Sequence, residues 1–177
     1  MEPLAVEPYK GIDESGINLA MTRWFGRAPR GDRGVDAVPQ NYGPNVTMIG
    51  ALALQGFDAA MTGAGATDGD VLQTYVAQVL GPTLVAGDVV MMENLSAHKV
   101  TGSREALERQ GAQVISLPPY SPDLAPLELC WSKVKTALRK AKARTREALE
   151  RARGQVLSTV TAGDARNWFA HCGYTVQ

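Results

Sequence analysis

An α/β fold with a mixed sheet is what the sequence predicts, and three observations predict it. The run DVVMMEN, a helical pattern over about residues 97–110 and a second apolar run QVISL follow one another as strand, helix and strand. That order implies parallel pairing through a right-handed crossover. Ahead of it lie shorter β-branched runs suited to an antiparallel meander, and behind it lie amphipathic helical patterns.

Taken in order, GIDESGINLA reads as a strand. Apolar and polar positions alternate on either side of Ser15 and Gly16, which predicts a hairpin with a return strand at Met21 to Phe25 and Asp13 beside its turn. Residues 26–45 are rich in Gly and Pro and carry Arg27, Arg30 and Arg33, so a long, partly basic loop is expected. VTMIGALAL, from Val46, suits a central strand, and the segment from Gly56 pairs back on it.

A helix follows, with Thr67 and Asp68 as cap candidates, a stripe of Val71, Leu72, Tyr75, Val76, Val79 and Leu80, and a stop at Gly81-Pro82. DVVMMEN has the continuous apolar character of a strand buried on both faces, ending at Glu93-Asn94. After the loop LPPYSPDLAP, the residues Leu127, Cys130, Trp131, Val134, Ala137, Leu138 and Ala141 keep the i, i+3, i+4, i+7 rhythm of a helix, with Pro126 in its first turn. Trp131 is thereby assigned to the core. A last helix is expected over about Arg146 to Thr161 with Thr145 as its cap, and the remainder reads as a tail.

The chain has 177 residues, near the length of one domain, and 45% of them are apolar, enough for a real core. No run approaches the roughly 20 apolar residues of a membrane span, and the N-terminus lacks the pattern of a signal peptide, so a cytoplasmic protein is expected. Cys130 and Cys172 have no partner at metal-ligand spacing and read as reduced, structural thiols. The absence of a GxxxxGK[ST] loop and of a nucleophile with a paired base argues against NTP hydrolysis and acyl transfer.

The formal net charge is zero, but it is divided: residues 1–98 sum to −6 and residues 99–177 to +6. Nine basic residues lie between Lys133 and Arg153, among them Lys135 and Arg139. Such a run serves either as a phosphate-facing surface or as a solvated helix face.

Three carboxylates stand at strand ends or helix starts in apolar surroundings: Asp13, Glu93 and Glu128. A cluster of carboxylate oxygens is the ligand set that magnesium prefers, and two such ions serve in-line phosphoryl displacement. Each acid also has a plain structural reading: a turn residue for Asp13, a loop-edge charge for Glu93, and a helix N-terminal acid for Glu128.

The strings TRWFGRAPRG, ENLSAHKV, LPPYSPDLAPLELCWSKVKTALR and WFAHCGY decide among these readings. Together they resemble the DDE-superfamily transposases of bacterial insertion sequences related to the mariner elements. The family's Asp-Glu in the first strand matches Asp13-Glu14, and its Asp-Asn before Ser-x-His-Lys matches Glu93-Asn94 before Ser96-Ala97-His98-Lys99. Its LPPYSPDLNPIE matches LPPYSPDLAPLE, ending at Glu128, with 34 residues between Glu93 and Glu128. The resemblance implies an RNase H-like domain over residues 1–177, with a mixed five-stranded sheet flanked by helices.

It further implies catalysis by Asp13, Glu93 and Glu128 holding two Mg or Mn ions. The substrates would be double-stranded DNA at transposon ends and at the target, moved by cut-and-paste, with Arg27, Arg30, His98, Lys99, Lys133, Lys135 and Arg139 facing the DNA. A homodimer is expected in a bacterial, nucleoid-associated setting. The family's N-terminal helix-turn-helix region is expected to be absent here, either because an upstream, frameshifted reading frame supplies it or because the chain is a truncated remnant.

The sequence departs from the pattern at two positions. Glu93 stands in place of Asp, which moves its carboxylate by on the order of 1 Å and weakens a metal site. Ala125 stands in place of Asn, which removes a side chain suited to cap the helix of Glu128. Two other readings stay open: a different RNase H-like nuclease, and an impaired remnant that only binds DNA or dimerises.

Overall fold

The computed structural model describes residues 9–92 and 102–176. Five strands form one sheet: β1 (Tyr9–Ile17), β2 (Val46–Ala53), β3 (Gly56–Ala64), β4 (Val89–Met92) and β5 (Gln113–Ser116), in the spatial order β3-β2-β1-β4-β5. The pairs β1/β2 and β2/β3 are antiparallel, whereas β1/β4 and β4/β5 are parallel, so the sheet is mixed as expected. The helices are α1 (Gly69–Tyr75), α2 (Ser103–Arg109), α3 (Pro126–Ala141), α4 (Arg146–Leu157) and α5 (Ala162–His171). No described helix is long and apolar enough to cross a membrane.

Period-two alternation builds the core. In β4 all four residues are buried; Val89 and Met91 join the apolar cluster on one face, and Val90 and Met92 join the cluster on the other. This is the continuous apolar signature of a strand covered on both sides. One face carries α1 and α2 through Leu72, Tyr75 and Leu107, and the other carries α3, α4 and α5 through Trp131, Leu138, Leu149 and Phe169. In β1, Tyr9 and Ile17 belong to the second of these faces, and Asp13 falls on it by the same alternation.

Two sequence expectations are corrected. Ser15 and Gly16 form no hairpin: β1 runs straight through them to Ile17, pairing from Gly11↔Leu52 to Ile17↔Val46, and residues 21–25 are not a strand. The longer register with β2 supplies more ladder bonds than a tight local return, so Asp13 lies mid-strand rather than beside a turn. The tail also is not a tail, because α4 stops at Leu157 and α5 begins with a complete capping box, Thr161 Oγ1 accepting from Asp164 N–H and Asp164 Oδ2 accepting from Thr161 N–H.

The helix expected to stop at Gly81-Pro82 is α-helical only to Tyr75, then runs as a π-turn over Val76–Leu80 and a 3₁₀ turn over Gly81–Thr83. Residues 26–45 hold no helix or strand. Asp68 caps α1 by accepting from Val71 N–H at 3.0 Å, and Thr145 caps α4 by accepting from Ala148 N–H at 3.2 Å. The helix expected from about residue 97 begins at Ser103, with Gly102 as its non-helical N-cap (φ 133°); residues 93–101 lie outside the described residues. Cys130 and Cys172 are buried free thiols, and burial pushes the Cys130 thiol up to about 12, which keeps it protonated and inert.

Candidate active site

The site is built where β1 and β4 run side by side. Their parallel register ends at Ile12↔Met92, so the residues immediately before Asp13 and before Glu93 are paired neighbours. The ends of parallel strands are the usual place for chemistry in α/β sheets. Glu93, His98 and Lys99 themselves lie outside the described residues.

Asp13 is 5% exposed, which for a carboxylate requires donors around it. Its Oδ1 accepts from Glu14 N–H at 2.7 Å, and its Oδ2 accepts from the indole Nε1–H of Trp131 at 2.9 Å. The second bond spans 118 positions of sequence and ties β1 to α3. Glu128 lies one turn before Trp131 on α3 and is exposed. Residues three apart on a helix are surface neighbours at about 5–6 Å, and side chains lean toward the helix N-terminus, so the indole lies over the turn that bears Glu128. The Trp131 bond thus ties Asp13 to the N-terminal half of α3.

The path into α3 is set by proline and by a weak cap. Pro122–Leu124 form a single 3₁₀ turn, Pro126 enters the first turn of α3, and Ala125 sits at the N-cap with extended backbone and no side-chain cap bond. The missing cap is the one expected from Ala in place of Asn. No group of three or more His, Cys, Asp or Glu residues able to hold a metal is found among the described residues, a set that excludes Glu93.

The basic residues divide into two kinds. Lys133 pairs with Asp164 Oδ2 at 2.6 Å and donates to Thr159 O, Lys142 pairs with Asp36, and Arg144 donates to the carbonyls of Leu19 and Met21 and to Thr22 Oγ1. These contacts fasten α5 and the β1–β2 loop onto the end of α3, so much of the basic run serves the fold. Arg27 and Arg30 stand exposed on that loop and Lys135 is half-buried on α3. Arg139 stacks over the Trp24 ring at 4.2 Å.

Trp24 and Phe25 are 76% and 87% exposed, and they line a groove of about 910 Å³ with Arg23, Arg139 and Lys140. The basic loop is legible in the sequence, but the exposure of these two aromatic residues is not, because Met21 to Phe25 reads there as a strand.

The family model of the DDE superfamily endonucleases matches residues 11–150. The chain belongs to this family. The match begins just ahead of Asp13 and extends beyond Glu128, so it takes in both described acids as well as Glu93. No curated protein matches the chain in sequence.

Solved structures give this DDE endonuclease domain its fold. The Mos1 mariner paired-end complex with Mn matches with a TM-score of 0.74 at 16% identity, covering 94% of this chain and 52% of that one. The mariner Mos1 paired-end complex with Mg matches at 0.70 and 13% identity, covering 94% and 53%. The catalytic domain of Mos1 mariner transposase matches at 0.67 and 14% identity, covering 94% and 76%. The chain thus spans about half the length of the chains in the paired-end complexes and has the RNase H-like fold of a transposase catalytic domain.

Proposed function

We propose that this DDE endonuclease domain is the catalytic part of a transposase that cuts double-stranded DNA at element ends and joins it to a target. The observation that carries the proposal is the junction of β1 and α3, where a buried Asp13 is tied through Trp131 to the helix whose first turn bears Glu128. A buried carboxylate on a strand, bonded to a helix that carries an exposed one, is a donor set that suits a hard divalent cation. Asp13, Glu93 and Glu128 would hold Mg or Mn, two ions in all. When bound, such ions supply the charge that activates an attacking oxygen and stabilises the leaving one in an in-line displacement.

The chain's own contribution is placement. Asp13 is fixed by donors from two elements, which keeps its carboxylate from rotating as a phosphodiester arrives. Glu128, exposed at a helix start, is open to the incoming strand. Arg27, Arg30, Lys135 and Arg139, with His98 and Lys99, contact phosphates and set the register of the duplex without reading its sequence. Lys133 assists by holding α5 in place. A homodimer pairs two ends, and a helix-turn-helix unit reads the terminal repeats.

The test is nicking of a supercoiled plasmid carrying the element's ends. Wild-type protein is expected to convert it to open circles in Mg²⁺ or Mn²⁺, and Asp13→Asn and Glu128→Gln each to abolish the conversion. Nicking that survives either substitution contradicts the assignment. A second reading, an impaired remnant, is favoured by Glu93 standing where the family pattern has Asp.

A further inference from the structure

We infer that Trp131 is a positioning residue for the metal site: its indole N–H sets the orientation of the Asp13 carboxylate and its helix sets the separation of Asp13 from Glu128. The inference rests on the metal reading above and assigns to Trp131 a role beyond filling the core.

The indole is fully buried and held in a built slot. Gly50 on β2 lies directly across from Asp13 in the antiparallel register. A Cβ at Gly50 would stand 2.9 Å from Cη2 of Trp131 and 2.3 Å from Cζ of Phe57, so only glycine leaves room for both rings on that face. Phe57, on β3, packs against Trp131 with ring centroids 5.5 Å apart and planes tilted by 57°. Three neighbouring strands thus converge on one side chain: β2 opens the space, β3 supplies the wall and β1 supplies the acceptor.

A ring so confined has one donor, and that donor points at Oδ2 of Asp13 at 2.9 Å. With Glu14 N–H on Oδ1, the carboxylate plane is fixed from two directions. Because Trp131 and Glu128 share the first two turns of α3, any shift of the helix along β1 would move both the donor to one ligand and the other ligand itself. The bond therefore gauges the distance between the two acids. Groups that orient metal ligands typically change metal affinity by about 10–100-fold when removed.

The experiment is a calorimetric titration with Mn²⁺ alone, together with thermal melting with and without Mn²⁺. It compares wild type, Trp131→Phe, and protein carrying 3-benzothienylalanine at position 131. The last keeps the bicyclic shape and loses only the N–H, so it remains informative if Trp131→Phe does not fold. Both replacements are expected to weaken Mn²⁺ binding by about 10–100-fold and to shrink the Mn²⁺-induced rise in Tm. Wild-type affinity and an unchanged Mn²⁺-induced rise in a folded variant would overturn the inference, since packing alone would then explain the residue. A wild type that binds no Mn²⁺ would instead overturn the metal reading, and this inference with it.

Discussion

Under the proposed function, glutamate at position 93 is the residue on which activity would turn. Relative to the family pattern it keeps the charge and lengthens the reach by one methylene, and a misplacement of about 1 Å at a reacting centre costs on the order of 100-fold in rate. Glu93→Asp is expected to raise the rate of metal-dependent plasmid nicking by up to about that factor; equal rates for the two proteins would show that the longer side chain is accommodated. The contrast with Asp13 is instructive. Its type and approximate strand were legible in the sequence, but its setting was not. Trp131 read as core from its helical spacing, and core it is, yet its donor reaches a carboxylate 118 positions away, a pairing that no local pattern encodes.

At the scale of the element, α3 is the part whose stability bears on the site. Its apolar stripe and Pro126 were readable from periodicity, as was the lack of a cap at Ala125, and the structure shows that N-cap without a side-chain bond. Ala125→Asn is expected to stabilise the protein by about 1 kcal/mol in denaturant unfolding, and Ala125→Gly to fall short of that gain by only a few tenths of a kcal/mol. The helix α5 is hard to read from sequence because Gly163 near its start and the ending Trp-Phe-Ala-His-Cys look like a tail, although Thr161-x-x-Asp164 is a capping-box pattern.

Asp164 does double service, capping α5 and pairing with Lys133, and the bond from Lys133 holds its carboxyl at about 2, below the ordinary 3.8. A carboxyl lowered on folding stabilises the native state above its ordinary pKa and loses that contribution as pH falls through the folded value. Thermal stability should therefore drop between about pH 4 and pH 2 in a pH-series melt, and Asp164→Asn should be less stable at neutral pH and flatter across that window.

Across the whole molecule, the order of strands and helices was legible because β4 announces itself as a doubly covered strand and because strand–helix–strand permits few topologies. The basic half of the chain was legible as a charge excess but not as a division of labour. Lys133, Lys142 and Arg144 are used to fasten α5 and the β1–β2 loop to α3, a long-range arrangement, while Arg139 stacks on Trp24 at the edge of the groove. Fold and proposed site are thus joined through α3, which carries Glu128 in its first turn, bonds Asp13 through Trp131 and anchors the β1–β2 loop at its opposite end.

The most direct test of that arrangement is the anomalous scattering of manganese in crystals of the wild-type protein soaked in Mn²⁺. The account predicts metal density in direct contact with the carboxylates of Asp13, Glu93 and Glu128, at about 2.0–2.3 Å from the oxygens, with the Trp131–Asp13 bond intact. Manganese bound elsewhere, or Glu128 turned to solvent with no metal between it and Asp13, would contradict it.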